Sequence, residues 1–277
     1  MPHRFLSRKA FIQILCFIAA GIAVVGSPNA ACAQDTFEIR VEQYEQPVLG
    51  RFTLEEHLND VGIGTASLDG TIAATHHQFH MSTEFTAGIS SNVSLGLMVL
   101  TALVPGHGGL QYAGWRVLPH FYLPDSLHFP VRFGLTAEFS FQPTLFAESA
   151  RTLELRPIIE GAIGRVQLDA NPSTERSLSG SQARNRWNFQ PSLRFAYQLK
   201  PRFSPILEYY GAAGSLAKPL PLEQQVHQIY PGGSLRLSEN ILWDLGIGVG
   251  LTPAGNRLVY KTRIEFSLGR TNKDTHN

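Results

Sequence analysis

From residue 51 onward the chain alternates apolar and polar side chains with a period of two, the pattern of strands that bury one face and solvate the other. From Phe129 to Phe141, one face carries Phe129, Val131, Phe133, Leu135, Ala137, Phe139 and Phe141; the other carries Arg132, Gly134, Thr136, Glu138 and Ser140. The same alternation runs from Trp187 to Leu199 and from Leu258 to Leu268. Each run exceeds ten residues, whereas strands of soluble proteins average about five or six. Strands are predicted near 51–64, 75–89, 92–103, 110–123, 128–142, 151–162, 165–173, 186–199, 202–212, 225–237, 240–252 and 257–268, twelve in all. An even number of long, one-sided strands predicts an all-β fold, an antiparallel transmembrane β-barrel over 51–268.

The connections strengthen this expectation. Gly64 to Ala74, Phe146 to Arg151, Thr174 to Arg186 and Ala213 to Gln224 are long or irregular, and Pro105–Gly109 and Pro253–Asn256 are glycine- or proline-rich tips. Between them lie tight turns at Ser90-Ser91, Gly164, Lys200-Pro201 and Ser238-Glu239, with a slightly longer one around Asp125-Ser126. Short turns at one end and longer loops at the other are the outer-membrane arrangement.

With the apolar faces toward lipid, the opposite faces line the interior. That assigns Glu84, Arg116, Arg132, Glu138, Glu154, Arg156, Glu160, Asp169, Arg194, Glu208, Arg236, Asp244, Lys261, Arg263 and Glu265 to the lumen. A Lys or Arg on the lipid face near midplane would cost about 2–4 kcal/mol. Such a mixed-sign lumen has two readings: side chains cross-linked into a filled barrel, or a polar path for solutes. Trp187 falls near the outer end, Trp243 near the inner end and Trp115 between, with Phe121, Tyr122, Phe203 and Phe266 expected on the inner rim. Residues 35–45 also alternate, Phe37, Ile39 and Val41 against Glu38, Arg40 and Glu42. This lead-in, 34–50, has three candidate placements: in the periplasm, inside the barrel or in its wall.

Composition agrees. Charged residues are 16% and aromatics 10% of the 277 residues, with a net charge of +1. So few charges with a mean hydropathy of −0.05 fit a wall whose two faces cancel in the average. A disordered chain would be poorer in aromatics, and an electrostatic nucleic-acid binder would be more basic.

Residues 1–33 read as a signal peptide. Arg4, Arg8 and Lys9 precede an apolar stretch from Ala10 to Val25, Ser27 and Pro28 break it, and Ala31-Cys32-Ala33 offers a small-x-small cleavage site between Ala33 and Gln34. A lipoprotein signal on Cys32 ranks below this, because Asn29 stands where an aliphatic residue belongs. Cleavage leaves 244 residues with 20 basic and 22 acidic side chains, a charge of −2, and removes both cysteines, Cys16 and Cys32. The exported chain is then thiol-free, which excludes thiol catalysis and Cys-ligated zinc. Beyond Ala33 no apolar run approaches the roughly 20 residues of a membrane helix; Leu95 to Val104 is half that length.

Local motifs add no chemistry. Gly246-Ile-Gly-Val-Gly250 lacks dinucleotide-fingerprint spacing; on a strand its three glycines leave a patch of lumen without side chains. His76 and His80 on one strand stand roughly 13 Å apart, with His77 on the other face, so they do not share an ion. His80 and Ser82 share a face, and a twelve-stranded outer-membrane phospholipase uses a His-x-Ser-Asn element. Here His80-Met-Ser-Thr-Glu84 lacks the Asn, and no Gly-x-Ser-x-Gly elbow occurs. No cofactor site, metal site or enzymatic activity is expected.

Five segments, taken in order, carry a family resemblance: Leu153-Glu-Leu-Arg-Pro-Ile-Ile159, Leu168-Asp-Ala-Asn-Pro172, Glu208-Tyr-Tyr-Gly211, Glu223-Gln-Gln-Val-His-Gln-Ile-Tyr-Pro231 and Gly246-Ile-Gly-Val-Gly-Leu-Thr252. Together they resemble the outer-membrane transporter family related to the MetA pathway of phenol degradation, over about residues 37–268. The resemblance implies an outer-membrane barrel passing small, aromatic or hydrophobic compounds, with no catalytic residues. One departure is the tail 269–277: barrels often end on an aromatic residue read by the assembly machinery, whereas this chain continues past Phe266 to Asn277.

The sequence therefore predicts a passive channel of the Gram-negative outer membrane. Its expected partners are outer-membrane lipid, the barrel-assembly machinery and an unidentified small solute, with no nucleic acid. The alternatives are a non-conducting structural or partner-binding barrel and, below it, a lipid-active enzyme.

Overall fold

The computed structural model describes residues 35–66, 72–180, 183 and 187–269. The expected signal peptide and its Ala33–Gln34 junction lie outside these residues, as does the tail beyond Gly269.

Twelve long strands form the wall. They are β1 (Arg51–Ile63), β2 (Phe79–Gly88), β3 (Val93–Leu103), β4 (Leu110–Tyr122), β5 (Arg132–Phe141), β6 (Arg151–Ile163), β7 (Val166–Ser177), β8 (Asn188–Tyr197) and β9 (Phe203–Ala212). After a small hairpin, β10 (Gly214–Ser215) and β11 (Lys218–Pro219), come β12 (Val226–Ser238), β13 (Ile241–Gly250) and β14 (Leu258–Gly269). Every wall strand pairs antiparallel with its neighbours, and β1 pairs with β14. The ring is continuous through the β8–β9 and β9–β12 pairings. Closure satisfies the backbone groups that an open sheet edge would leave exposed.

Three strand limits differ by four residues from those read in the sequence, the others by at most two. The strand expected at 75–89 starts at Phe79, because His77 takes a left-handed conformation at φ 60° and turns the chain. The strand expected from 128 starts at Arg132, after a 3-10 turn at Asp125–Leu127 whose C-terminal residue His128 is also left-handed. In the other direction, the strand expected to end at 173 runs four residues further, as β7, to Ser177. Its polar end Ser173–Ser177 stays paired with β6 and β8, though its composition lacks the apolar alternation that marks the wall.

The outward face is apolar and exposed: Leu97, Val99 and Leu103 on β3, Phe139 on β5, Leu207 on β9, and Ile247 and Val249 on β13. Trp115 stacks on Phe141 at 4.2 Å between ring centroids, and Phe52 on Phe85 at 5.5 Å. One strand breaks the pattern. On β1 the inward residues are Glu55, His57, Asn59 and Val61, so Glu56 and Asp60 face outward; Thr83 Oγ1 donates to Glu56 at 2.7 Å. Tyr122, expected on the rim, points inward instead and is buried, packing edge-on against Tyr44 at 5.2 Å.

Candidate functional site

Segment 35–48 runs through the lumen. Of its three candidate placements the structure has the interior one. The segment begins at the long-loop end, where Thr36 meets His80 near the start of β2 and Phe37 packs on Phe146 in the 142–150 loop. It ends at the short-turn end, where Tyr44 donates to the Leu123 carbonyl and Arg51 N donates to Val48 O. Gly50, at φ 80°, then reverses the chain into β1; a positive φ is what glycine adopts without steric cost.

Alternation in this segment serves two interior surfaces. Phe37 joins Met98, Leu100 and Ala102 of β3 in one buried cluster. Ile39 and Val41 pack with Val61, Tyr210, Tyr230 and Val259 in a second, and Tyr44 with Tyr122 and Ile158 in a third. The polar side chains enter an ionic lattice. Glu38 receives Arg156 Nη1 at 2.8 Å and Arg116 Nη1 at 3.3 Å. Arg40 Nη1 forks onto Glu55 at 2.6 and 2.7 Å. Glu42 meets His120 Nδ1 at 2.9 Å and accepts from Thr136 Oγ1 at 2.6 Å. Asn171 holds the segment's backbone from both sides, accepting from Glu42 N at 2.7 Å and donating to Glu42 O at 3.0 Å. Lys261 Nζ donates to the Ile39 carbonyl at 3.0 Å.

Glu38 thus faces three guanidiniums, those of Arg156, Arg116 and Arg40, and Glu42 faces His120 and Arg156. Both are acceptors in charge-assisted bonds, roughly twice as strong as neutral ones.

The sequence-assigned lumenal residues divide into two groups. Glu84, Arg116, Glu138, Glu154, Arg156, Asp169, Arg194, Glu208, Asp244, Lys261, Arg263 and Glu265 are all buried on inward faces. Some cross-link wall to wall: Arg194 to Asp169 at 2.9 Å, Arg263 to Asp244 at 2.8 Å, and Lys261 to Glu208. Arg132, Glu160 and Arg236 are less buried and, with Glu84, Arg263 and Glu265, line a vestibule of about 390 Å³ that opens at the short-turn end. Arg132 is one-third exposed and reaches Glu160 at 3.2 Å, and Arg236 is exposed.

The structure adds residues the sequence did not single out: Glu55, His57, His120, Asn171, Tyr210 and Tyr230, all buried and facing inward. It also fills the patch expected to be bare at Gly246 and Gly248. A Cβ on Gly248 would stand 2.3 Å from the Tyr230 ring, so the glycine makes room for that ring. Ser82 Oγ donates to the Phe37 carbonyl, while His80 Nε2 faces Gln78 Oε1 at 2.7 Å, so hydroxyl and imidazole are engaged away from each other. His76 and His77 sit in the turn before β2 with ring centroids 3.9 Å apart, not on a strand.

No protein-family profile matches this sequence, and no curated protein matches it. Solved structures match the fold. An outer-membrane channel from Pseudomonas putida F1, described as COG4313, aligns with a TM-score of 0.55 at 10% identity, over 83% of this chain and 100% of that one. The KdgM porin aligns at 0.52 and 9% identity, over 78% of this chain and 99% of that one. The NanC porin aligns at 0.51 and 7% identity, over 79% of this chain and 100% of that one. At such identities the likeness is one of fold: the chain is a closed twelve-stranded antiparallel barrel of the kind found among outer-membrane channels and porins.

Proposed function

We propose that this protein is a passive channel of the Gram-negative outer membrane, closed in the conformation described by its own N-terminal segment. The observation that carries the proposal is the way the lumen is filled. Twelve-stranded walls lie between the filled eight-stranded barrels and the open sixteen-stranded porins, and here residues 35–48 run through the space beside wall side chains such as Lys261 and Glu208 that meet within it. The segment joins the wall at a single turn, Val48 to Arg51, so it can leave without unpairing any strand. The apolar outward band supports a lipid-facing wall, and the signal-like residues 1–33 supply export to the assembly machinery.

The resemblance to the MetA-related family carries the solute class, small aromatic or hydrophobic compounds. With the segment withdrawn, Tyr210, Tyr230 and the apolar inward face of β3 become the surfaces such a solute meets, between rings of paired charges.

Single-channel recording in planar bilayers tests this. The full exported chain is expected to be mostly closed, and a chain lacking residues 35–45 to show steady, larger conductance steps. If the deleted chain retains heat-modifiable migration on gels but is electrically silent at all voltages, the barrel is a non-conducting scaffold.

A further inference from the structure

The wall facing Arg40 carries a set of side chains that ion pairing alone leaves incompletely satisfied. On β1 and β2, Glu55 stands directly opposite Glu84 in the antiparallel register, and His57 lies two residues further along the same inward face, opposite Ser82. One ligand atom from each of Glu55, His57 and Glu84 lies within 4.8 Å of the others. All three are buried, His57 and Glu84 to 1% exposure. Yet His57 Nε2, 3.6 Å from Glu55 Oε2, and Glu84 Oε2, 3.7 Å from Arg40 Nη2, have no hydrogen-bond partner. A buried polar atom left unpaired costs about 1–3 kcal/mol, so a three-residue cluster that holds two of them has a reason to take a ligand.

The donor set defines its chemistry. One imidazole nitrogen with two carboxylates is the kind of set that binds zinc, at about 2.0–2.2 Å. Calcium takes six to eight oxygens and magnesium a near-octahedral oxygen shell, which a nitrogen and two strand-borne carboxylates do not supply. Imidazole ligation also suits copper and nickel, so the class is a divalent transition ion.

The same carboxylates are now held by Arg40. Its Nη1 forks onto Glu55, and its Nη2 lies 3.7 Å from Glu84 Oε2. Thr86 Oγ1 occupies only Glu84 Oε1, at 2.7 Å, and Arg263 approaches Glu55 Oε2 at 2.9 Å. The vestibule reaches Arg40, Glu55 and Glu84 from the short-turn end, giving an ion a route to the set. We propose that Glu55, His57 and Glu84 form a lumenal binding site for a divalent transition ion of zinc's class, and that Arg40 competes with the ion for the two carboxylates. The site is independent of whether the barrel conducts.

The test is calorimetric titration of zinc into the full exported chain in detergent, with cobalt absorption reporting the ligand geometry. Each variant is first checked for folding by heat-modifiable gel migration. One ion per chain is expected to bind at this site. His57→Ala and the near-isosteric Glu84→Gln should each weaken it by about 10–100-fold or more, while His80→Ala leaves it unchanged. Arg40→Ala should tighten it at least as much as Glu84→Gln weakens it. Binding seen only after Arg40→Ala also supports the site, as one its competitor holds shut. The proposal is overturned if neither the natural chain nor Arg40→Ala binds zinc saturably, or if His57→Ala and Glu84→Gln both leave the affinity unchanged.

Discussion

Glu38→Gln is the smallest change that should loosen the N-terminal segment. It deletes one buried charge while keeping shape. Glu38 is met by Arg156 Nη1 at 2.8 Å, Arg116 Nη1 at 3.3 Å and Arg40 Nε at 3.4 Å. Removing one member of a buried ion pair typically costs about 3–5 kcal/mol. The lower end applies here because the stranded guanidiniums keep other carboxylates. Arg156 retains Glu154 at 2.9 Å and Glu138 at 3.1 Å, and Arg116 retains Asp35 at 2.6 Å and Glu138 at 3.2 Å. The wall's own strand pairing is untouched, so the loss falls on docking. About 3 kcal/mol weakens docking by roughly 100-fold.

The absence of other thiols makes this measurable. Both cysteines, Cys16 and Cys32, precede Gln34, so a Val41→Cys chain beginning at Gln34 carries a single thiol. Val41 is 1% exposed, packed among wall residues. A small maleimide reaches it only from the undocked state, and when docking is fast relative to labelling, the rate follows the undocked fraction. Val41→Cys/Glu38→Gln should label about 100-fold faster than Val41→Cys alone. Equal rates would refute the assignment of Glu38 as an anchor of the segment.

Two further outcomes are expected. Val99→Arg places a cation on the outward face of β3 and should cost about 2–4 kcal/mol if that position lies near midplane, read as a lower urea midpoint for refolding into lipid vesicles; an unchanged midpoint would mean β3 does not face lipid. Gly248→Ala drives a Cβ into the Tyr230 ring at 2.3 Å and should lower the temperature of the gel-shift transition, with Tyr230→Ala restoring part of the loss; failure of that rescue would place the strain elsewhere.

The wall was legible because lipid and lumen impose opposite demands on alternate residues, and β5, β8 and β14 carry that contrast over their whole length. On β1 the contrast fails. Glu55 and Glu56 lie on opposite faces, as do Asn59 and Asp60, so alternation gave no polarity to read and Glu55 and His57 went unassigned. Uncharged inward residues such as Asn171 and Tyr230 left no signal either, since a buried amide or phenol looks the same in sequence as an exposed one. The position of segment 35–48 was illegible for a different reason. A single extended peptide alternates like a wall strand, and its partners are remote: Arg156 lies 118 residues from Glu38 and Lys261 lies 222 from Ile39. Nothing local names them.

The two readings of a mixed-sign lumen, cross-linked filler or polar path, are not exclusive in this geometry. The ionic contacts fall into those that close within the wall and those that pass through the segment. Arg194–Asp169, Arg263–Asp244 and Lys261–Glu208 join wall to wall and persist whether or not the segment is present. Arg116, Arg156 and His120 instead split their contacts between acids of the segment (Asp35 and Glu38, Glu38 and Glu42, and Glu42 respectively) and wall carboxylates. Withdrawal therefore leaves no basic side chain of that group without a counter-charge, which keeps the cost of opening below that of exposing bare ions to a water-filled pore. The duplicate pairing is therefore compatible with the proposed gate, which must leave and return without stranding a charge.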